Sequence, residues 1–356
     1  MNNFFYLANL FFSGLILLFI GIVLATMFLK IRRESKHQKW KLMADLLIRK
    51  AIFFEDEAGA DQLEMIPVTA RTTTLLKNKY FRKLLTQELV NAKKNVSGSS
   101  ADNLTRLYLQ LNLNAYALAK LRDASWHKKA QVIQELSIFG LKQYLTKIYR
   151  YTNDANDLLR MEAQVAIVRL SGFEGLRFLD LVSRPVSEWQ QIKLLHELSN
   201  IPAENFNGID KWLKSPNKTV VTFGLKLVRI YHRFELHDPV CTCLTDQEPQ
   251  VRLHAISALG EIYNEQTSGI LISRILKEDI QHRMAIIKVL QNIATNEDIQ
   301  ILLDQLETDH AGLKQLVARA LSKVSPEGYA QLQRHDHALE YPLNEIIAQI
   351  KSEFAL

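Results

Sequence analysis

The sequence predicts an all-α protein, with one membrane-spanning helix ahead of a solenoid of about six to seven helical hairpins. Three observations lead there. The segment Leu10–Leu29, LFFSGLILLFIGIVLATMFL, has no charged side chain. No alternating apolar and polar strand pattern occurs after residue 100. Apolar helical segments recur near the C-terminal end at a spacing of 31 residues.

Twenty helical residues reach about 30 Å, the thickness of a bilayer's hydrocarbon core. The next residues, KIRRESKHQKWK, carry Lys30, Arg32, Arg33, Lys36, Lys39 and Lys41 against one acid, Glu34. The nine residues before the span carry no charged side chain. This asymmetry places residues 1–9 outside and everything after Lys30 in the cytoplasm. The expected location is a bacterial inner membrane, crossed once. A signal peptide fits less well, because it has a basic start, a shorter apolar core and a small-residue cleavage site. A buried helix of a soluble protein would need apolar neighbours on all sides.

The net charge of +6 is unevenly spread. Residues 71–94 hold seven bases and one acid, whereas 95–356 hold 29 bases and 30 acids. The basic character therefore belongs to the membrane-proximal part. Anionic lipid headgroups are the expected counterpart of the Lys30–Lys41 cluster, and no nucleic acid is expected. Cys241 and Cys243, the only two cysteines, are too close for a sound disulfide and too few for structural zinc.

Residues 30–103 are expected to form basic juxtamembrane and linker helices. Trp40, Met43, Leu47, Ala51 and Phe54 form one stripe at helical spacing. That helix could extend the span, lie on the headgroups or pack on the domain behind it. The acidic run at 55–64 reads as a break, Thr74–Lys94 as a second amphipathic helix, and Asn95–Asn103 as a loop.

From 104 to 356 the sequence reads as helix after helix. Four segments superpose without gaps: LRMEAQVAIVRL from Leu159, VRLHAISALGEI from Val251, HRMAIIKVLQNI from His282 and LKQLVARALSKV from Leu313. Each has a base second, namely Arg160, Arg252, Arg283 and Lys314. Poorer copies begin near Trp126, Gln191 and Thr222, and short apolar helices such as GLRFLDLV and SGILISRIL follow the copies. LNEIIAQIKSEF, after Pro342, reads as a closing cap.

These repeats resemble the HEAT family. The VRLHAISALGEI unit is similar to its short bacterial subtype, found in phycobilin-lyase-like proteins. The resemblance implies a right-handed α-solenoid that binds a protein partner. It also implies that turn Asp residues, here Asp246 and Asp279, act with helix Arg252 and Arg283 to bridge adjacent repeats. Its enzymatic alternative is a bilin-lyase-like or other small-molecule chemistry on the same scaffold. The stretch from Leu104 to Leu136 resembles bacterial anchored HEAT proteins that accompany membrane glycosyltransferases in polysaccharide export.

The residues themselves offer no catalytic constellation. There is no phosphate loop, dinucleotide turn, HExxH or nucleophile elbow. His335 and His337 with Asp336 are the one local cluster, read as a solvated turn. His254 and the carboxylates Glu162, Glu197 and Glu261 are read as exposed helix positions. The expectation is a membrane-anchored scaffold or adaptor with no catalytic residue, cofactor or metal, bound to a protein partner at the membrane.

Overall fold

The computed structural model describes residues 2–55, 65–122, 125–199, 201 and 206–354, excluding the side chains of 2–9, 12, 13 and 354. Among them there are helices and turns and no strand. The acidic run expected as a break lies outside the described residues apart from Glu55. Two compact units form, Met1–Leu170 and Ser171–Leu356.

The first unit begins with α1 (Asn2–Ile52), a single unbroken helix. The apolar stretch, the basic cluster and the Trp40–Phe54 stripe all lie on it or at its end. No Pro occurs in α1 and its last Gly is Gly21, so nothing after that position invites a kink. The stripe packs on the domain: Ala44, Leu47, Ile48 and Ala51 are buried, and Trp40 meets Phe81 edge-on at 5.8 Å.

The expected helix Thr74–Lys94 is two helices, α2 (Ala70–Leu75) and α3 (Lys79–Asn95). The Asn78 side chain caps α3 by accepting from the Tyr80 and Phe81 amides. The expected loop Asn95–Asn103 shrinks to Val96 and Ser97, because α4 (Gly98–Gln110) starts at once. Its Ser and Asn residues lie within the helix and tie it to the end of α1: Ser100 and Asn103 donate to the carbonyls of Ile52 and Phe54. α5 (Leu113–Leu121), α6 (Trp126–Ile138), α7 (Leu145–Tyr149) and α8 (Asp157–Ser171) complete the unit. One core joins Leu47 and Ala51 to Phe81, Leu85, Leu104, Leu107, Ile133 and Ala163. Residues from 44 onward therefore share a core with residues beyond 104.

The second unit alternates long and short helices: α9 (Glu188–Leu198), α10 (Ile209–Trp212), α11 (Lys218–Ile230), α12 (His237–Cys243), α13 (Pro249–Leu259) and α14 (Thr267–Ile275). Then follow α15 (Ile280–Ile293), α16 (Ile299–Asp304), α17 (Ala311–Val324), α18 (Pro326–Gln333) and α19 (Leu343–Phe354). The long helices α11, α13, α15 and α17 pack side by side, and α19 packs on α17. Their caps keep strict register. Ser125, Asn156, Ser187, Asn217, Glu248, Asp279 and His310 start the long helices at 31-residue intervals, with one interval of 30. The poorer copies at Trp126, Gln191 and Thr222 are therefore structural repeats too.

Each long helix buries residues on two flanks. In α13 these are Val251, Ala255, Ile256, Ala258 and Leu259. Small residues set the approach distance. A Cβ added at Gly328 would lie 2.4 Å from the Leu321 carbonyl oxygen, a backbone atom that cannot turn aside. Gly328→Ala should therefore lower stability by about 1–3 kcal/mol through overpacking. Gly269, in α14, has open space around its Cβ position. Gly269→Ala should instead raise stability by up to about 1 kcal/mol, the helix propensity difference. Thermal melts of the two variants with opposite signs would bear out this packing, and equal shifts would refute it.

Candidate anchor and interaction surfaces

Leu10, Phe11 and the large side chains of α1 from Leu15 to Leu29 are exposed, Leu10 by 76% and Leu17 by 69%. A continuous apolar cylinder of this kind is unusual on a folded domain facing water. It is the one helix among the described residues long and apolar enough to cross a membrane. Lys30, Arg32, Arg33, Lys36, Lys39 and Lys41 follow, all exposed. At 3.6 residues per turn they spread over about half of the circumference. The Lys36 ammonium lies 4.8 Å from the Trp40 ring centroid, where the cluster meets the domain.

Most of the repeat arginines fasten their helix to the turn before it, and Arg252 also reaches a neighbouring turn. Arg160 is almost fully buried and donates to the Asp154 carbonyl at 2.7 Å and the Asp157 carboxylate at 2.8 Å. Arg252 donates to the carbonyl of Asp246, again six residues back, and to Glu278 at 3.0 Å. The Asp246 carboxylate turns the other way, to Lys218 of the preceding long helix at 2.5 Å. That pairing holds its pKa below the usual range against the opposing effect of its partial burial. Lys218 and Arg252 each reach the acid of a following turn, and Arg252 meets Asp246 only through its carbonyl. Asp279 caps α15 and binds the His282 ring at 2.9 Å, while Arg283 donates to the Glu278 carbonyl. Lys314 makes no such contact and ends the series. Sequence reading missed two members. Arg82 donates to the carbonyl of Leu76, six residues back like Arg160 and Arg252. Glu278 is the buried acceptor for both Arg252 and Arg274.

The candidate chemical groups are distributed as follows. His335 and His337 approach Glu307 at 3.5 and 3.9 Å, and His337 also binds Glu340 at 2.9 Å. Among the described residues no group of three or more His, Cys, Asp or Glu is arranged to hold a metal. Burial and Asp246 push the Cys243 thiol up to about 11, and burial and Asp238 raise that of Cys241. Neither thiol is a thiolate nucleophile at neutral pH. Glu261 is exposed, while Glu162 and Glu197 are half-buried. His254 is half-buried rather than exposed, because α13 is flanked on both sides. Burial, then the charges of Lys226 and Arg229, lower its pKa to about 4.

A groove in the first unit separates α3 from α5 and α6. Its two adjoining recesses, of about 110 and 230 Å³, share Lys83, Thr86, Lys120 and Glu135. Glu135 is 5% exposed and accepts a 2.7 Å hydrogen bond from the Tyr108 hydroxyl. Burial raises its pKa, partly offset by Tyr108 and Lys120.

With the geometry in hand, comparison with known proteins places residues 238–322 among HEAT repeats. That stretch holds α13, α15 and most of α17, and the 31-residue register continues the same helical unit outside it; HEAT repeats generally mediate protein–protein interaction. No curated protein matches the chain in sequence. Among solved structures, an engineered protein is similar at 13% identity, covering 78% of this chain and 85% of its own, with a TM-score of 0.39. The CpcE–CpcF complex of phycocyanin lyase from Nostoc sp. PCC7120 shares 11% identity over 84% of this chain and 98% of its own, with a TM-score of 0.26. Human deoxyhypusine hydroxylase shares 14% over 90% and 98%, with a TM-score of 0.29.

Two outcomes test these contacts. Glu278→Ala should cost about 2–3 kcal/mol in a denaturant melt, since it strands two arginines that only partly reach water. Lys314→Ala should be near neutral; equal losses would end the fastener assignment. His254 binds a proton more weakly folded than unfolded, so its contribution favours folding above pH 6.5 and is lost towards about pH 4. His254→Gln should flatten stability across that window, and an unchanged profile would contradict the assigned burial.

Proposed function

We propose that this chain is a single-pass, membrane-anchored scaffold that holds a protein partner against its helical-repeat surface at a bacterial inner membrane. The carrying observation is the continuity of α1. One half is an exposed apolar cylinder, and the other contributes Ala44, Leu47, Ile48 and Ala51 to the domain core. Leu29 and Ala44 are about 22 Å apart along such a helix. The anchor is therefore an unjointed stalk with no slack linker. The basic cluster beyond the span supports a cytoplasmic domain by the excess of Lys and Arg on that side, and anionic headgroups are its counterpart. Confinement to one membrane raises the effective concentration of a membrane partner. A membrane glycosyltransferase or export complex is the partner class the sequence resemblance suggests.

The test compares a deletion of residues 1–29 with a swap of that span for an unrelated single-pass helix of the same orientation. Crosslinking in native membranes should recover the partner with the full chain and with the swap, and fail with the deletion. Full physiological activity of the soluble deletion at native expression would reject the scaffold in favour of an enzyme acting on a soluble substrate. A reporter active only outside the cytoplasm, fused after Leu356, should stay silent; strong activity would invert the topology.

A further inference from the structure

We propose that the groove between α3 and the α5–α6 pair is a binding site for a phosphate-bearing ligand. Lys79, Lys83 and Lys94 approach it from α3, and Lys120 from α5. None of the four ammonium groups lies within ion-pair distance of a carboxylate among the described residues. Lys93, beside Lys94 in sequence, is occupied instead by the Ala101 carbonyl at 2.7 Å. Like charges gathered on two walls of one cleft repel each other, and a bound anion relieves that repulsion.

The walls between the amines are neutral and polar. Thr86, Gln87, Asn91, Gln131 and Gln134 line the groove, and none spends its side chain on an internal hydrogen bond. Lys83 and Lys120, on opposite walls and common to both recesses, suit a compact group whose several oxygens carry the charge, while Lys79 and Lys94, about 22 Å apart along α3, add to the field at either end. A planar carboxylate would be better met by an Arg fork, and the one guanidinium here, Arg82, is committed to the Leu76 carbonyl and the Tyr116 ring.

The floor is built rather than accidental. Glu135 is buried beneath the amines, and its position is fixed by Tyr108, which itself stacks on Phe139 with ring centroids 4.0 Å apart. A carboxylate there opposes anion binding, so removing its charge should strengthen binding, which a merely structural role for Glu135 would not do. The ligand has two sources, a soluble phosphate ester or a phospholipid headgroup. The Arg82 end of the groove adjoins Phe81 and hence Trp40. Trp40 lies about 16 Å past Leu29 along α1, so a headgroup reaches it only if α1 tilts.

The test uses the full chain in phosphatidylcholine nanodiscs, titrated calorimetrically with inorganic pyrophosphate at low salt. Saturable binding should weaken by about tenfold in the double variant Lys83→Gln/Lys120→Gln. It should tighten several-fold in Glu135→Gln, which keeps an acceptor for Tyr108, and stay unchanged in Lys277→Gln/Lys288→Gln, two exposed lysines of the second unit. Each variant is checked by circular dichroism melting. Absence of saturable binding, or equal losses in the two double variants, would overturn the site and leave the anchored-scaffold reading intact. Under the proposal, repetition in discs containing phosphatidylglycerol identifies the source. Competition by the discs assigns the ligand to the lipid, and undiminished binding assigns it to a soluble ester.

Discussion

Everything in this fold depends on one constraint: a long helix that is apolar on two flanks must have a neighbour on each. Helix α13 shows it, with Val251 and Leu259 buried and α11 and α15 packed beside it. A hairpin alone would leave one flank in water, at a cost of about 25 cal/mol per Å² of apolar surface. The repeats are thus stable only as a stack, and the stack must be closed at its end. α19 does this on α17, where Arg319 reaches Glu353 at 2.8 Å on the polar rim. In the first unit, the second half of α1 joins α3 and α4 in the same core.

One helix thus has two surroundings. A helix that is exposed and apolar in its first half and core in its second cannot be detached from the domain without exposing Leu47 and Ile48 to water. Its two halves are patterned differently. From Leu10 to Leu29 it has no charged side chain, the pattern of a helix able to cross a membrane. After Trp40 it is apolar on one stripe, as a globular core requires. The cationic cluster occupies the change-over, where a helix is wetted on every side.

The polar contacts follow the same logic of repetition with local variation. Arg82, Arg160 and Arg252 all reach back six residues to a carbonyl at the turn before their helix. This satisfies acceptors that the end of the preceding segment leaves unpaired. What varies is the second partner, Asp157 for Arg160 and Glu278 for Arg252. Charged groups at these seams are held by several bonds each, which is the condition for burying them without loss. The groove lysines break this pattern: several amines gather over one buried carboxylate, Glu135, and form no side-chain ion pair among the described residues.

Periodicity carried much of the fold. The spacing of Arg160, Arg252, Arg283 and Lys314 set the repeat length, and the uncharged run Leu10–Leu29 set the apolar helix, because both are one-dimensional signals that a helix converts directly into position. The stripe Trp40–Phe54 was equally visible, but which surface it meets was not. Lipid and protein core are both apolar, and only the packing of Trp40 on Phe81 distinguishes them. Composition misled at Asn95–Asn103, since Ser, Gly and Asn mark helix starts as readily as loops. Glu278, 26 residues from Arg252, and the groove of Lys83, Lys120 and Glu135 were invisible. Their residues come from separate helices with no common period, so only the tertiary structure brings them together. The sequence by itself determined the helices and their repeat. The tertiary structure decided which flanks meet, which charges are paired, and which are left facing an open groove.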